Sequence, residues 1–495
     1  MILGGLDLGS SGCKFTVYDG NELISETSAA YQTVRANGRH TLNSDQVWAA
    51  ACNAISQSTK NCIRTRFISA IAVSSMGEAA TPIDSNGKAL GDALLFWDNS
   101  GRQEADQLEA LLGCEKISEI CGVKPHSMFT VCKMAWLNNN TDIYKKAEKF
   151  LLFEDYIIYR LTGECAISYS LAGRTMGFDI KRKMWSQEIF DAAGLDSSKM
   201  SKPFPSGTVV GKVRLQIATN LGLPASMVVV TGGHDQMCAA VGVGAIHPGI
   251  SANGSGTVEA LSTTLSQDSN IKALAEKNYC CSVHADPKDY FTYSFGSTGS
   301  ILTNWYIDAF KMQSNQAYLS PENIYDYLDI NAPKRPTDLL LLPYFAGTGT
   351  PYMDFGAKGV IAGMTLSTTE FEIYRALLEG LSYDLAININ ALTKAGVEIG
   401  KIRATGGGSK SPLWLQIKAD VTGREISTLK NKQAGTLGCK MLAGVALGEY
   451  QDLDQAIDDN VIIDKTYYPD LENHEHYIRK VTQYEKLYYA IKEVY

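Results

Sequence analysis

Met1-Ile-Leu-Gly-Gly-Leu-Asp-Leu-Gly-Ser-Ser-Gly12 opens the chain, and its reading decides the fold. Residues 3–8 are a short apolar run that predicts a β-strand, and Gly-Ser-Ser-Gly then predicts a turn. Residues 14–19 predict a second strand, and Asp19-Gly20-Asn21 is a hairpin signal leading into a third over 22–28. The same opening argues against a secretory signal, because no basic region precedes the apolar run and Asp7 interrupts it.

Further along, β-rich runs at 71–75 and 227–231 alternate with helix-like segments at 44–58 and 141–161. The second half repeats the theme. Ala252-Asn-Gly-Ser-Gly-Thr257 is another glycine-rich turn, and residues 401–405 predict a strand running into Gly406-Gly407-Gly408. Such alternation predicts an α/β architecture. Thr369 and Glu372 form a capping-box pattern, apolar residues from Phe371 to Leu392 keep helical spacing, and Gly396 suits the stop. Residues 242–249 lie between two glycine-marked halves and suggest a duplicated two-lobe plan, divided as 1–245 and 246–495.

The 495 residues suffice for two or three domains, and 45% hydrophobic with 20% charged residues is ordinary for a globular protein. A net charge of −8 argues against a nucleic-acid surface and against anionic membranes. No apolar stretch approaches the roughly 18 residues needed to span a bilayer. The eleven cysteines show neither disulfide-scaffold nor zinc-type spacing, so the adjacent Cys280 and Cys281 read as free thiols in a reducing cytosol.

Three glycine-rich turns follow strands: Asp7-Leu-Gly-Ser-Ser-Gly12, Asn253-Gly-Ser-Gly-Thr257 and Thr405-Gly-Gly-Gly-Ser409. Glycine lets backbone N–H groups converge on an anion, as phosphates require, although each turn alone also reads as a plain tight turn. None matches the P-loop pattern. Asp7 reads two ways: as a carboxylate holding Mg²⁺ beside phosphates, or as one that closes its own turn. Asp235 follows Val228-Val-Val-Thr-Gly-Gly-His234 and precedes a helix predicted over 236–243. It reads as the N-cap of that helix and as a general base for a hydroxyl attacking a γ-phosphoryl group, and the two roles are compatible. His234 reads as structural.

With these residues in place, the chain resembles the FGGY carbohydrate kinases over nearly its whole length. Met128-Phe-Thr-Val-Cys-Lys-Met-Ala-Trp-Leu-Asn-Asn-Asn140 fits one family signature; Gly359-Val-Ile-Ala-Gly-Met364 with Glu372-Ile-Tyr-Arg-Ala-Leu-Leu-Glu379 fits the other. The resemblance implies two ribonuclease-H-like lobes of the actin type around a central cleft, with sugar mainly on the first and ATP mainly on the second. It implies that Asp235 is the base and that Asp7 lies near Mg²⁺. Gly9, Ser10, Ser11 and Lys14 would belong to the first phosphate loop, Gly254, Ser255, Gly256 and Thr257 to the second, and Gly406, Gly407, Gly408 and Ser409 to the adenosine loop. Gly77 and Glu78 stand where xylulokinases carry a Gln-Met-His-Gly run and glycerol kinases an Arg-Glu pair. Trp97 and Asp98 resemble a stretch lining the sugar pocket, an indole face and a carboxylate being suited to a polyol. Arg102 reads either as steering substrate or as a solvated surface charge.

The sequence departs from the family at Thr348 and Gly349, where many members carry Glu-Arg. The expected activity is transfer of phosphate from ATP to a terminal hydroxyl of a ketose, first a pentulose such as xylulose. Glycerol, another polyol or a sugar acid such as gluconate is the alternative. A non-catalytic sugar sensor on the same fold would have lost Asp7 or Asp235, and both are present. The expected partners are sugar and ATP, without nucleic acid or membrane, in a cytoplasmic enzyme compatible with a homodimer.

Overall fold

A computed structural model describes residues 1–36, 38–310 and 323–494. Its first sheet is built from β1 (Ile2–Leu8), β2 (Gly12–Asp19), β3 (Glu22–Ala30), β4 (Ala70–Ser75), β5 (Val209–Lys212) and β6 (Val228–His234), in the order β5-β6-β4-β1-β2-β3. The first three strands form an antiparallel meander; β4 runs parallel to β1, β6 parallel to β4, and β5 antiparallel at the edge. Leu3, Leu6 and Leu8 on β1 and every residue of β4 are buried, as strands covered on both faces require.

The second sheet contains β7 (Gly249–Ser255), β8 (Glu259–Leu265), β9 (Cys280–Val283), β10 (Tyr290–Phe295), β11 (Ile399–Thr405), β12 (Glu425–Leu429) and β13 (Ile463–Tyr467), in the order β9-β10-β8-β7-β11-β12-β13. Strands β7, β8 and β10 make the meander, β11 and β12 continue in parallel, and β13 is antiparallel. It repeats the first sheet's plan with β9 added. The shared topology is carried by strand pairing and not by a fixed-period sequence repeat.

Seven of the helices are α1 (Ser44–Asn61), α2 (Phe153–Thr162), α3 (Asp235–Gly242), α4 (Glu370–Lys394), α5 (Pro412–Thr422), α6 (Ala434–Ala446) and α7 (Leu471–Lys492). Helix α4 carries the predicted capping box, with Thr369 and Glu372 bonded reciprocally. The segment 141–161 departs from a single helix: a turn at Ile143–Lys146 and the strand Lys149–Leu152 precede α2. Its apolar Phe150-Leu-Leu152 run pairs with a neighbouring strand, and tertiary pairing overrides helical spacing there.

Helices α3 and α6 cross between the sheets with their backbones touching. A β carbon on Gly242 would stand 1.8 Å from the Ala434 carbonyl oxygen, and one on Gly438 would stand 1.9 Å from that of Cys238. Helix α6 also lies against β1, where a β carbon on Gly5 would stand 2.2 Å from the Thr436 carbonyl. The buried cluster around this crossing draws Leu3 and Val230 from the first sheet and Ala252 and Phe291 from the second. It joins the two halves.

Candidate active site

Adjacent parallel strands β1, β4 and β6 deliver three acidic groups at their carboxyl ends, where α/β sheets form their ligand crevices. Asp7 lies on β1 opposite Ser74, Gly77 and Glu78 follow β4, and Asp235 follows β6, whose His234 pairs with Ser75. Ser74 Oγ donates to Asp7 Oδ1 at 2.8 Å. Burial raises the Asp7 pKa, opposed by that bond and by Lys14. A β carbon on Gly435 would stand 2.9 Å from Asp7 Oδ2, so glycine there keeps this oxygen clear.

Asp235 is the first residue of α3, which starts one residue before the predicted boundary; His234 holds the cap position and makes no side-chain cap bond. The N-cap reading is therefore corrected. Asp235 Oδ1 accepts from the Gln236 N–H at 2.7 Å instead, with His234 Nε2 at 3.3 Å. Burial, then the charge of Asp7, pushes the Asp235 carboxyl up to about 8. Burial pushes His234 well below its usual value, so its ring is neutral. That ring stacks on Tyr293 of the second sheet at 5.4 Å, while Ser170 Oγ accepts the His234 backbone N–H at 3.1 Å. His234 is a packed, positioning neighbour.

Glu78 sits in the left-handed region (φ 67°), and its Oε1 accepts from Arg174 Nε at 2.7 Å and again from Nη2. Arg174 is fully buried, lies 5.4 Å from the Phe129 ring centroid and 5.3 Å from that of Tyr293, and leaves Nη1 without a hydrogen-bond partner. Gly77 packs beneath it, 3.1 Å from Arg174 Cβ if it carried a β carbon. Neither Arg174 nor Tyr293 carries a sequence signal of its own. They lie far along the chain from Glu78, and no local pattern links them.

Trp97 is 38% exposed and faces a pocket of about 710 Å³. Arg102, Lys124, His126 and Phe129 from the first half of the chain and Asn278, Cys280 and Phe355 from the second line that pocket. Asp98 also lines it, yet its carboxylate accepts the His40 N–H at 2.7 Å and the Ser100 N–H at 2.8 Å. Burial alone would raise Asp98, but these bonds and Lys133 outweigh it and lower its pKa. Asp98 thus fixes the loop that presents Trp97.

Two of the three glycine turns are brought together, and the first stands apart from them. In the first, the Gly9 N–H donates to the Gly12 carbonyl at 3.0 Å, Ser10 and Ser11 line the bend, and Lys14 Nζ reaches Gln433 Oε1 at 2.6 Å, just before α6. The second and third end neighbouring strands, Gly254 pairing with Thr405 across β7 and β11. A β carbon on Gly406 would stand 2.7 Å from the Ser255 carbonyl, and one on Gly408 would stand 2.6 Å from Ser255 Cβ. Ser409 closes its turn onto the Gly406 carbonyl at 2.7 Å, with Gly407 between them. Around Gly254 no atom stands within 4 Å of a β carbon, and Gly256 and Thr257 continue this open edge. The space suits a phosphate.

Gly349 has a packing reason: a β carbon there would stand 1.8 Å from the Phe295 carbonyl, so arginine cannot fit this loop path. All eleven cysteines are unpaired. Among the described residues no cluster of three or more His, Cys, Asp or Glu side chains could hold a metal, and no helix is long and apolar enough to cross a membrane.

Comparison with known proteins completes the picture. Residues 1–242 match the N-terminal domain of the FGGY family of carbohydrate kinases, and residues 254–447 match its C-terminal domain. A xylulose kinase of Staphylococcus epidermidis is 28% identical, covering 99% of this chain and 97% of its own. The ligand-bound xylulose kinase structure from Lactobacillus acidophilus superposes with a TM-score of 0.89 at 25% identity, over 99% of this chain and 98% of that one. A gluconate kinase structure from the same organism gives 0.87 at 25%, with the same coverage of both chains. The first match takes in the whole first sheet with Asp7, Glu78 and Asp235, and the second takes in the glycine turns at 254–257 and 406–409: the chain belongs to the FGGY family of carbohydrate kinases and is a sugar phosphotransferase.

Proposed function

We propose that the enzyme transfers the γ-phosphoryl group of ATP to a terminal hydroxyl of a ketose, with a pentulose such as xylulose as first choice. The sugar binds mainly within residues 1–245 and the nucleotide mainly within 246–495, in a reducing cytoplasm that suits unpaired cysteines. One observation carries the mechanism: Asp235, raised to about 8 by burial and the charge of Asp7, stands at the strand ends with 28% of its side chain exposed.

Asp235 orients the acceptor hydroxyl and takes its proton as the oxygen attacks phosphorus. Glu78, held by Arg174, and Trp97 orient the sugar, the carboxylate through Oε2 and the indole against C–H edges. Gly9, Ser10, Ser11 and Lys14 on one side and residues 254–257 on the other hold the phosphates, and residues 406–409 hold the adenosine. Asp7 fits a Mg²⁺ ion, since its Oδ2 is kept clear by Gly435 and this ion needs few protein carboxylates. When bound with ATP, the ion neutralises charge developing on the phosphates.

A second reading, a sugar acid such as gluconate, is favoured by Arg102 and Lys124 in the pocket wall, which would complement a carboxylate. Glycerol is the third candidate. A coupled ADP-release screen over pentuloses, hexuloses, polyols and aldonates separates these readings. Wild-type enzyme and Asp235→Asn are run in parallel, and a variant with full activity would remove Asp235 from the role of base.

A further inference from the structure

Beneath the second glycine turn lies a buried ion pair that the mechanism above does not use. Lys418, on α5, is fully buried, and its Nζ donates to Glu259 Oε1 at 2.5 Å, Ser255 Oγ at 2.6 Å and Asn253 Oδ1 at 2.7 Å. All three ammonium protons are thereby used. Asn253 and Ser255 end β7 at the turn, and Glu259 opens β8 on its far side. Glu259 Oε1 also accepts from Asn253 Nδ2 at 3.0 Å and from Ser255 Oγ at 3.3 Å. The ammonium lies 4.0 Å from the Trp414 ring centroid, and a β carbon on Gly408 would stand 2.4 Å from that indole. One side chain holds the second turn directly and the third through Trp414.

For stability alone, an apolar pair of similar volume would serve as well as a desolvated ammonium and carboxylate. What the charged set adds is directional geometry, fixed at the residues whose backbone and hydroxyl groups line the open space. We propose that Lys418 and Glu259 form a brace that sets the two turns to the dimensions of ATP, as positioning residues for the nucleotide and not for the sugar. This rests on the reading of residues 254–257 and 406–409 as the ATP site.

Two variants test it. Lys418→Met/Glu259→Leu removes both charges at similar volume, leaving neither buried alone, and Asn253→Ala removes one acceptor while keeping the pair. Steady-state kinetics on the best sugar, with each substrate varied in turn, should show KM for ATP raised about tenfold in the double variant and less in Asn253→Ala. KM for the sugar should stay within about twofold, a split that general loosening of the fold would not produce. Unchanged KM for ATP in the folded variants, or both KM values rising together, overturns the brace; if the double variant does not fold, Asn253→Ala decides alone. Titration calorimetry with ATP on the wild type and on Gly254→Ala separates the two failures. Equal binding by both refutes the ATP-site premise, whereas binding weakened by Gly254→Ala, with brace variants that keep the wild-type KM, refutes the brace only.

Discussion

Asp7 and Asp235 close two strands of one sheet that are separated by the single strand β4, and the charge of Asp7 helps to raise the Asp235 carboxyl to about 8. A base must be ionised to accept a proton, so this pairing sets the pH dependence of the free enzyme. The kcat/KM for the sugar should rise with pH along a limb whose apparent pKa is at most about 8, lower where bound cations offset Asp7. Asp235→Asn should abolish the limb and lower kcat by roughly a hundred- to ten-thousand-fold. A limb surviving in the variant would move the proton acceptor elsewhere.

Behind β6, Glu154 is fully buried, and burial pushes its carboxyl up to about 8 from 4.5. Its Oε2 accepts from the Ser168 N–H at 3.0 Å and from Ser168 Oγ at 2.8 Å, while Oε1 has no partner. Between 4.5 and about 8 the folded protein keeps a proton that the unfolded chain has released, so stability falls as pH rises through that window. Glu154→Gln keeps the neutral shape and cannot ionise. Thermal melts should show variant and wild type close together at pH 5. The variant should be the more stable by on the order of a few kcal/mol at pH 9. Parallel melting curves across pH would mean that Glu154 is ionised in the folded state.

The parts legible in the sequence were those that short-range chemistry determines. Residues 3–8 read as a strand because they are apolar and end on a turn, and α4 read as a helix because Thr369, Glu372 and the apolar spacing agree. Asp235 stood out because a carboxylate ended an apolar strand beside two glycines. Arg174 and Lys418 gave no such signal. Arg174 meets Glu78 across 96 residues and Lys418 meets Ser255 across 163, contacts created only when distant strands pair. Segment 141–161 failed for the same reason, since its strand needs a partner from residues 80–83.

Arg174 and Glu78 give a test of the sugar site that separates folding from binding. Arg174→Met leaves the Glu78 carboxylate buried without its cation, and the loss should be roughly 3–5 kcal/mol of stability. Arg174→Met/Glu78→Gln removes both charges and should recover most of that stability. Its KM for the sugar should remain raised while KM for ATP stays near the wild-type value, measured under saturating cosubstrate. Recovery of sugar KM along with stability would make the pair purely structural.

Two glycines should respond to the same substitution in opposite ways. At Gly438 a β carbon meets the Cys238 carbonyl at 1.9 Å, where neither helix backbone can yield without separating α3 from α6. Gly438→Ala should therefore destabilise the protein by about 1–3 kcal/mol, read as a lowered Tm. At Gly254 the methyl group meets nothing within 4 Å, so Gly254→Ala should leave Tm nearly unchanged. That open space is where the backbone would approach a phosphate, and a methyl group there keeps the phosphate away. KM for ATP should rise about tenfold in Gly254→Ala with the sugar KM preserved. If Gly254→Ala instead lowers Tm and spares KM for ATP, its glycine is a packing residue and the second turn is not a phosphate loop.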